Sequence, residues 1–141
     1  MKVRDAMHKG AEWVEPTTSL VDLATRMRDQ DIGCIPVGEN DRLVGMVTDR
    51  DIVLNAVAKG ADLSTLTARD VMTEGVVYCR DTEDLDDALR IMENKKIRRL
   101  PVIDDNKRMV GILSLGDVSH AASREMTGEL AAAVSAHHKA A

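Results

Sequence analysis

Gly45-Met46-Val47-Thr48-Asp49-Arg50-Asp51 and Gly111-Ile112-Leu113-Ser114-Leu115-Gly116-Asp117 follow one pattern: glycine, two apolar residues, a hydroxyl, two residues, an aspartate. The two stretches lie 66 residues apart. Upstream of them the same relation continues with a shift of 65, matching residues 5–37 to residues 70–102. Ten of those thirty-three positions are identical, among them Asp5/Asp70, Met7/Met72, Leu20/Leu85, Met27/Met92, Pro36/Pro101 and Val37/Val102. Unrelated sequences would match at roughly two, so the chain is an internal duplication. A unit of this length cannot bury its own apolar face, whereas two copies packed about a pseudo-twofold axis can, and such an axis creates clefts.

Each copy reads strand, helix, strand, strand, helix, an α/β unit. In copy one Glu12–Glu15 is a short strand stopped by Pro16, and Thr17-Thr18-Ser19 offers N-cap residues. Leu20, Leu23, Ala24 and Met27 then recur at helical spacing, as do Leu85, Ala88, Leu89 and Met92 in copy two. Cys34–Val37 and Leu43–Val47 are strands joined by a polar turn, with counterparts at Arg99–Ile103 and Met109–Leu113. A helix begins at Thr48 or Ser114, and in copy one it runs to about Lys59 with Gly60 as its C′ residue. The expected division is residues 1–60 for the first repeat, 61–69 for a linker, 70–125 for the second repeat and 126–141 for a helical tail. Leu130, Ala133 and Val134 share one side of that tail, which leaves two readings, a packed amphipathic helix or a frayed end.

The chain has 141 residues, 44% hydrophobic and 30% charged, a globular balance. A net charge of −5 argues against nucleic acid as a partner, because a phosphate backbone needs a basic footprint. No apolar run approaches a membrane span and none follows the N-terminus as a signal peptide would, so a cytoplasmic location is expected. There is no Phe, one Trp and one Tyr, so Val, Ile, Leu, Met and Ala must supply the core.

The chemistry concentrates at the two strand-to-helix junctions. A hydroxyl at a helix start lies beside unpaired backbone N–H groups, which suits a phosphate. An aspartate one turn later can accept bonds from both hydroxyls of a ribose. Ser/Thr-x-x-Asp is equally the pattern of a capping box, which needs no ligand. Both readings stand at this point.

Taken together, Asp5-Ala6-Met7 and Asp70-Val71-Met72, Ile35-Pro36-Val37 and Leu100-Pro101-Val102, and the two Gly-to-Asp stretches resemble a tandem pair of CBS domains, a Bateman module, over about residues 1–122. The nearest type is a small stand-alone CBS-domain protein of bacterial kind. The resemblance implies tandem β-α-β-β-α repeats and regulatory binding of adenosine nucleotides (AMP, ADP or ATP) without catalysis. It gives Thr48 and Ser114 to phosphate and Asp51 and Asp117 to ribose. Ile35, Pro36, Leu100 and Pro101 would frame the base. It also implies a homodimer and a separate regulated protein, and no required cofactor or metal.

The copies differ in ways that make the clefts unequal. Asp49-Arg50 in copy one is Leu115-Gly116 in copy two, and Gly33-Cys34 is Arg98-Arg99. Arg50, Arg98 and Arg99 are candidate polyphosphate contacts, and the two adjacent arginines are equally a solvated loop. If the latter pair reached across to Thr48, the first cleft would hold more cations. Trp13 and Tyr78, at equivalent positions, offer either a stacking surface for adenine or interface packing. Cys34 and Cys79 do not align with each other; they read as small buried residues or, alternatively, as a redox or metal sensor. A chain with neither nucleotide nor sensor chemistry would be a dimerisation module. No nucleophile triad, glycine-rich phosphate loop or metal-binding helix motif points to an enzyme.

Overall fold

The computed structural model describes residues 1–10, 12–40 and 42–136. It is a mixed α/β structure of small sheets and helices in two compact units. One unit takes Met1–Ala11 with Val77–Ala141, and the other takes Glu12–Val76. The segment leading into each repeat therefore packs within the unit that contains the body of the other repeat.

The first unit holds a four-stranded sheet in the order β1-β6-β5-β4, formed by β1 (His8–Lys9), β4 (Cys79–Arg80), β5 (Arg99–Ile103) and β6 (Met109–Ser114). β5 and β6 are antiparallel, with Arg99 opposite Ser114, while β4 joins β5 in parallel. In the second unit β2 (Cys34–Glu39) and β3 (Arg42–Thr48) form an antiparallel pair. Single bridged residues flank that pair, Thr73 on β3 and Val14 on β2. The order Thr73, β3, β2, Val14 repeats that of the larger sheet. The strand expected over Glu12–Glu15 thus shrinks to Val14, whose N–H and C=O bond to Pro36 and Gly38, because Pro16 stops the ladder two residues later.

α2 (Leu20–Gln30) and α5 (Leu85–Lys95) stand at equivalent places in the two units. Ser19 caps α2 by accepting from the Asp22 N–H at 3.1 Å. Both helices end at a residue with positive φ, Asp31 and Lys96, a left-handed stop supplied without glycine. Leu20, Leu23 and Met27 enter one core; Leu85, Ala88, Leu89 and Met92 enter the other. Ala24, expected on the buried stripe, is exposed, whereas its counterpart Leu89 is buried. The difference has a physical cause. α7 (Arg124–Val134) lies on α5 and on α6 (Leu115–Ala121), and sinks Leu130 and Val134 into that core. Over its described residues the tail is a packed helix that ends at Val134, and residues 137–141 of the expected tail lie outside the described residues.

α3 (Asp49–Ile52) continues into a π-helical segment, Val53–Val57, and Gly60 closes the stretch with φ +67°. The short helices α1 (Val3–Ala6) and α4 (Ala68–Val71) carry the two leading segments. Beyond each comes a methionine that lies across a strand glycine. A Cβ at Gly111 would stand 2.5 Å from the His8 carbonyl oxygen and 2.8 Å from the Met7 sulfur. A Cβ at Gly45 would stand 2.7 Å from the Met72 sulfur and 2.9 Å from the Thr73 carbonyl oxygen. Backbone oxygen cannot swing aside as a thioether can, so the strand glycine is a packing requirement of the docked segment.

Gly111→Ala and Gly45→Ala should therefore each destabilise the protein by about 1–3 kcal/mol in urea unfolding, the scale of overpacking. Gly128 lies inside α7 with nothing within 4 Å of a built Cβ, so Gly128→Ala should instead stabilise by about 0.5–1 kcal/mol.

Candidate functional site

Both Gly-to-Asp stretches end in closed capping boxes. In one, the Asp51 N–H donates to Thr48 Oγ1 at 3.1 Å and the Thr48 N–H donates to Asp51 Oδ2 at 2.9 Å. The other has the same distances, Asp117 N–H to Ser114 Oγ at 3.1 Å and Ser114 N–H to Asp117 Oδ2 at 2.9 Å. The capping reading is thereby realised in both repeats. Each box also fixes a partly buried hydroxyl and carboxylate at the strand-to-helix turn. Sequence reasoning located both boxes.

A second backbone bond clamps the loop before each middle strand to the same turn. The Leu115 N–H donates to the Arg98 carbonyl at 2.9 Å, and the Asp49 N–H to the Gly33 carbonyl at 3.0 Å. Together with the pairing of Arg99 with Ser114, this bond sets both arginines beside the serine. Arg98, Arg99, Ser114, Leu115, Gly116, Ser119, Thr127 and Ala131 line one open concavity of about 560 Å³. Arg98 and Arg99 thus lie beside the Ser114 turn of their own unit. Antiparallel β5–β6 register is the reason. At the equivalent places the Thr48 turn has Gly33 and Cys34, with Cys34 paired opposite Thr48. Arg50 is exposed there, and the Asp49 carboxylate accepts from the Arg50 backbone N–H at 2.9 Å.

The other candidates fall into two groups. Ile35 and Leu100 are core residues with 2% and 0% exposure, and Pro36 and Pro101 are buried next to them. Trp13 and Tyr78 remain exposed at 41% and 49%. Trp13 has a packing partner, since its ring leaves only 2.8 Å to a Cβ built on Gly38. Ser119, Thr127 and Ala131 escaped the sequence reading. The last two reach the concavity only because α7 folds back, and a single helical stripe does not reveal where it docks.

Both cysteines are buried. Burial, and then the nearby Glu83 and Asp81 carboxylates, push the Cys79 thiol up from 9.0 to about 12. Among the described residues, no three His, Cys, Asp or Glu side chains cluster to hold a metal, and no helix is long and apolar enough to cross a membrane.

Comparison with known proteins places the chain in a family. The CBS domain matches twice, over residues 3–57 and 68–124. The chain belongs to the CBS-domain family and carries a tandem pair. Hypoxic response protein 1 of Mycobacterium tuberculosis is 38% identical over 117 residues, 82% of this chain and 81% of that protein. The Bacillus subtilis CBS domain-containing protein YhcV is also 38% identical over 117 residues, covering 83% and 82%. Against protein MK0525 of Methanopyrus kandleri, 36% identical over 104 residues, the chain spans about half, 53%, of the relative's length. A crystal structure of hypoxic response protein 1 with two coordinated zinc ions superposes with a TM-score of 0.77, covering 87% of this chain and all of that one. CBSX2, crystallised in complex with AMP, is 31% identical with a TM-score of 0.72, covering 85% and 94%.

Three outcomes are expected for this region. Cys79 should resist thiol-labelling reagents in the native protein at neutral pH and react only on unfolding. A thiol raised in the fold contributes stability below its unfolded value and loses it as pH climbs, so Cys79 should weaken the fold as pH rises from 9.0 toward about 12. Asp51→Ala and Asp117→Ala each remove a box and should cost about 0.5–2 kcal/mol in thermal or urea unfolding, before any ligand is added.

Proposed function

We propose that this CBS pair is a regulatory sensor of adenosine nucleotides that changes the behaviour of a separate protein according to which nucleotide it holds. The observation that carries the reading is the grouping of two guanidinium side chains, Arg98 and Arg99, with the Ser114 hydroxyl on one open concavity. Guanidinium forks and a hydroxyl are the donors that phosphate oxygens take. The AMP complex of CBSX2 supports an adenosine ligand. In this reading Ser114 and Arg99 meet phosphate, Asp117 offers its carboxylate to ribose, and exposed Tyr78 supplies a face for the base. Thr48, Arg50, Asp51 and Trp13 form the weaker counterpart, with Gly33 and Cys34 in place of the two arginines.

The protein acts by binding, not catalysis, in the cytoplasm, and pairs with a second copy of itself. A nucleotide shifts its states only by the difference in affinity between them. AMP, ADP or ATP is the regulatory ligand, and no further cofactor is needed.

Calorimetry with AMP, ADP and ATP on nucleotide-free protein tests this. Binding is expected at the Ser114 concavity first, with the more highly phosphorylated ligand held more tightly. Absence of heat and of any thermal shift at millimolar nucleotide would overturn the reading. Arg99→Ala should weaken ATP by about tenfold or more, equivalent to roughly 1.5–3 kcal/mol for a charge-assisted contact, and narrow the preference of ATP over AMP.

A further inference from the structure

The concavity beside the Ser114 turn is built by three parts of the chain, and one of them lies outside the duplicated unit. Arg98 and Arg99 come from the entry to β5, Ser114 and Ser119 from the turn and α6, and Thr127 and Ala131 from α7. The second CBS match ends at residue 124, where α7 begins. In repeat one the chain after Val57 turns at Gly60 and leads into α4 instead.

The polar side chains of the concavity are of one chemical kind. Two guanidinium groups and three hydroxyls line it, and no carboxylate is among the lining residues. Among the described residues, neither Arg98 nor Arg99 forms an ion pair. In a chain of net charge −5 this is a local surplus of cations and donors, which suits a run of phosphates. The hydroxyls are engaged to different degrees. Ser114 Oγ only accepts in its cap, which leaves its proton for a ligand. The Ser119 hydroxyl donates to the Gly116 carbonyl at 2.6 Å. Thr127 Oγ1 reaches the Val118 carbonyl only at 3.5 Å, a weak bond that a phosphate oxygen can replace. Ala131 stands one turn on from Thr127 on the same side of α7, and its methyl leaves the space beside it open. On its other side α7 is anchored by Leu130 and Val134 in the core, and Ser123 caps it by accepting from the Met126 N–H at 3.2 Å.

We propose that α7 is part of the ligand site and the element that responds to it. Thr127 donates to the phosphate chain of a nucleotide held by Arg98, Arg99 and Ser114, and the bound nucleotide in turn holds α7 against α5 and α6. The inference rests on the nucleotide reading above and adds to it the element through which occupancy is transmitted. Coupling of this kind is reciprocal. Whatever factor the docked helix contributes to nucleotide affinity, the nucleotide contributes the same factor to docking of the helix.

Hydrogen–deuterium exchange on the full-length, nucleotide-free chain, read with and without ATP, tests the proposal, and calorimetry on the same sample shows whether ATP binds. ATP should slow exchange of the α7 amides by about fivefold or more and leave those of α2 unchanged. Thr127→Val keeps the branched shape and removes the hydroxyl. It should leave the melting temperature of the free protein in place and weaken ATP by about three- to tenfold, the scale of one hydrogen bond. The slowing that ATP produces in α7 should fall by the same factor. Ala132→Glu, on the exposed side of α7, should change neither quantity. The exchange result on the wild type stands whether or not the Thr127 variant folds. Absence of ATP binding to the wild type would overturn the nucleotide reading and this inference with it. ATP binding with α7 exchange unchanged, or with full affinity retained by a folded Thr127→Val, would leave the sensor reading standing and overturn the role of α7.

Discussion

The interaction on which the architecture depends is a thioether crossing a glycine. Met7 lies over Gly111 and Met72 over Gly45, each held by a leading segment that bonds to the strand beneath it. The crossing explains why an Asp-x-Met stretch and a Gly-to-Asp stretch occur together in each copy. The glycine in one repeat is the seat for the methionine of the other. Because the leading segments are exchanged, neither repeat completes its sheet from its own sequence. His8 and Lys9 add the edge of the sheet that carries Ser114, and Thr73 does the same for Thr48. At the starts of the leading helices the Asp5 and Asp70 carboxylates accept from the Lys2 and Thr67 backbone N–H groups at 3.1 and 2.8 Å, which ties down the turn from which each methionine leaves.

That constraint reaches the candidate site through one strand. β6 carries Gly111 in its middle and Ser114 at its end, three residues further on. A segment that presses on Gly111 therefore sets the height at which the Ser114 turn leaves the sheet. The turn is closed by folding chemistry alone, since Asp117 Oδ2 and Ser114 Oγ each already engage a backbone N–H. A hydroxyl and a carboxylate keep lone pairs beyond a single accepted bond, so the box and a ligand need not compete. The box costs nothing extra to prearrange for binding, and this is why its presence alone could not distinguish capping from recognition. Arg98 and Arg99 lie beside the Ser114 turn without contributing a side-chain bond to its cap.

Much of this was legible in the sequence because it is local or repeated. The helical stripes of α2 and α5, the hydroxyl caps and the turn at Gly60 each follow from spacing and residue type, and the duplication doubled every signal. What escaped reading depended on which segments meet. The place of Arg99 opposite Ser114 follows from strand register, which is not written in composition. The buried side of Leu89 and the exposed side of Ala24 look equivalent by periodicity, and only the docking of α7 separates them. Trp13 likewise has two plausible uses until its ring is found against Gly38. The first strand of copy one falls short because Pro16 has no N–H to make the bond that Asp81 makes to Ile103 in the other copy.

The asymmetry between the copies has one consistent direction. Repeat two has acquired paired arginines at its turn and a helix over its flank, with Thr127 and Ala131 of that helix on the rim of the same concavity. Repeat one has Gly33 and Cys34 at the matching turn, a π-helical segment instead of a regular helix, and apolar side chains facing outward. A π-helical turn widens the helix and displaces the side chains it carries, which alters the surface presented by Val53 and Val57. A duplicated fold begins with two equal clefts and two equal flanks. Here the paired arginines lie in one unit, and the exposed side chains of Val21, Val53, Leu54 and Val57 lie in the other.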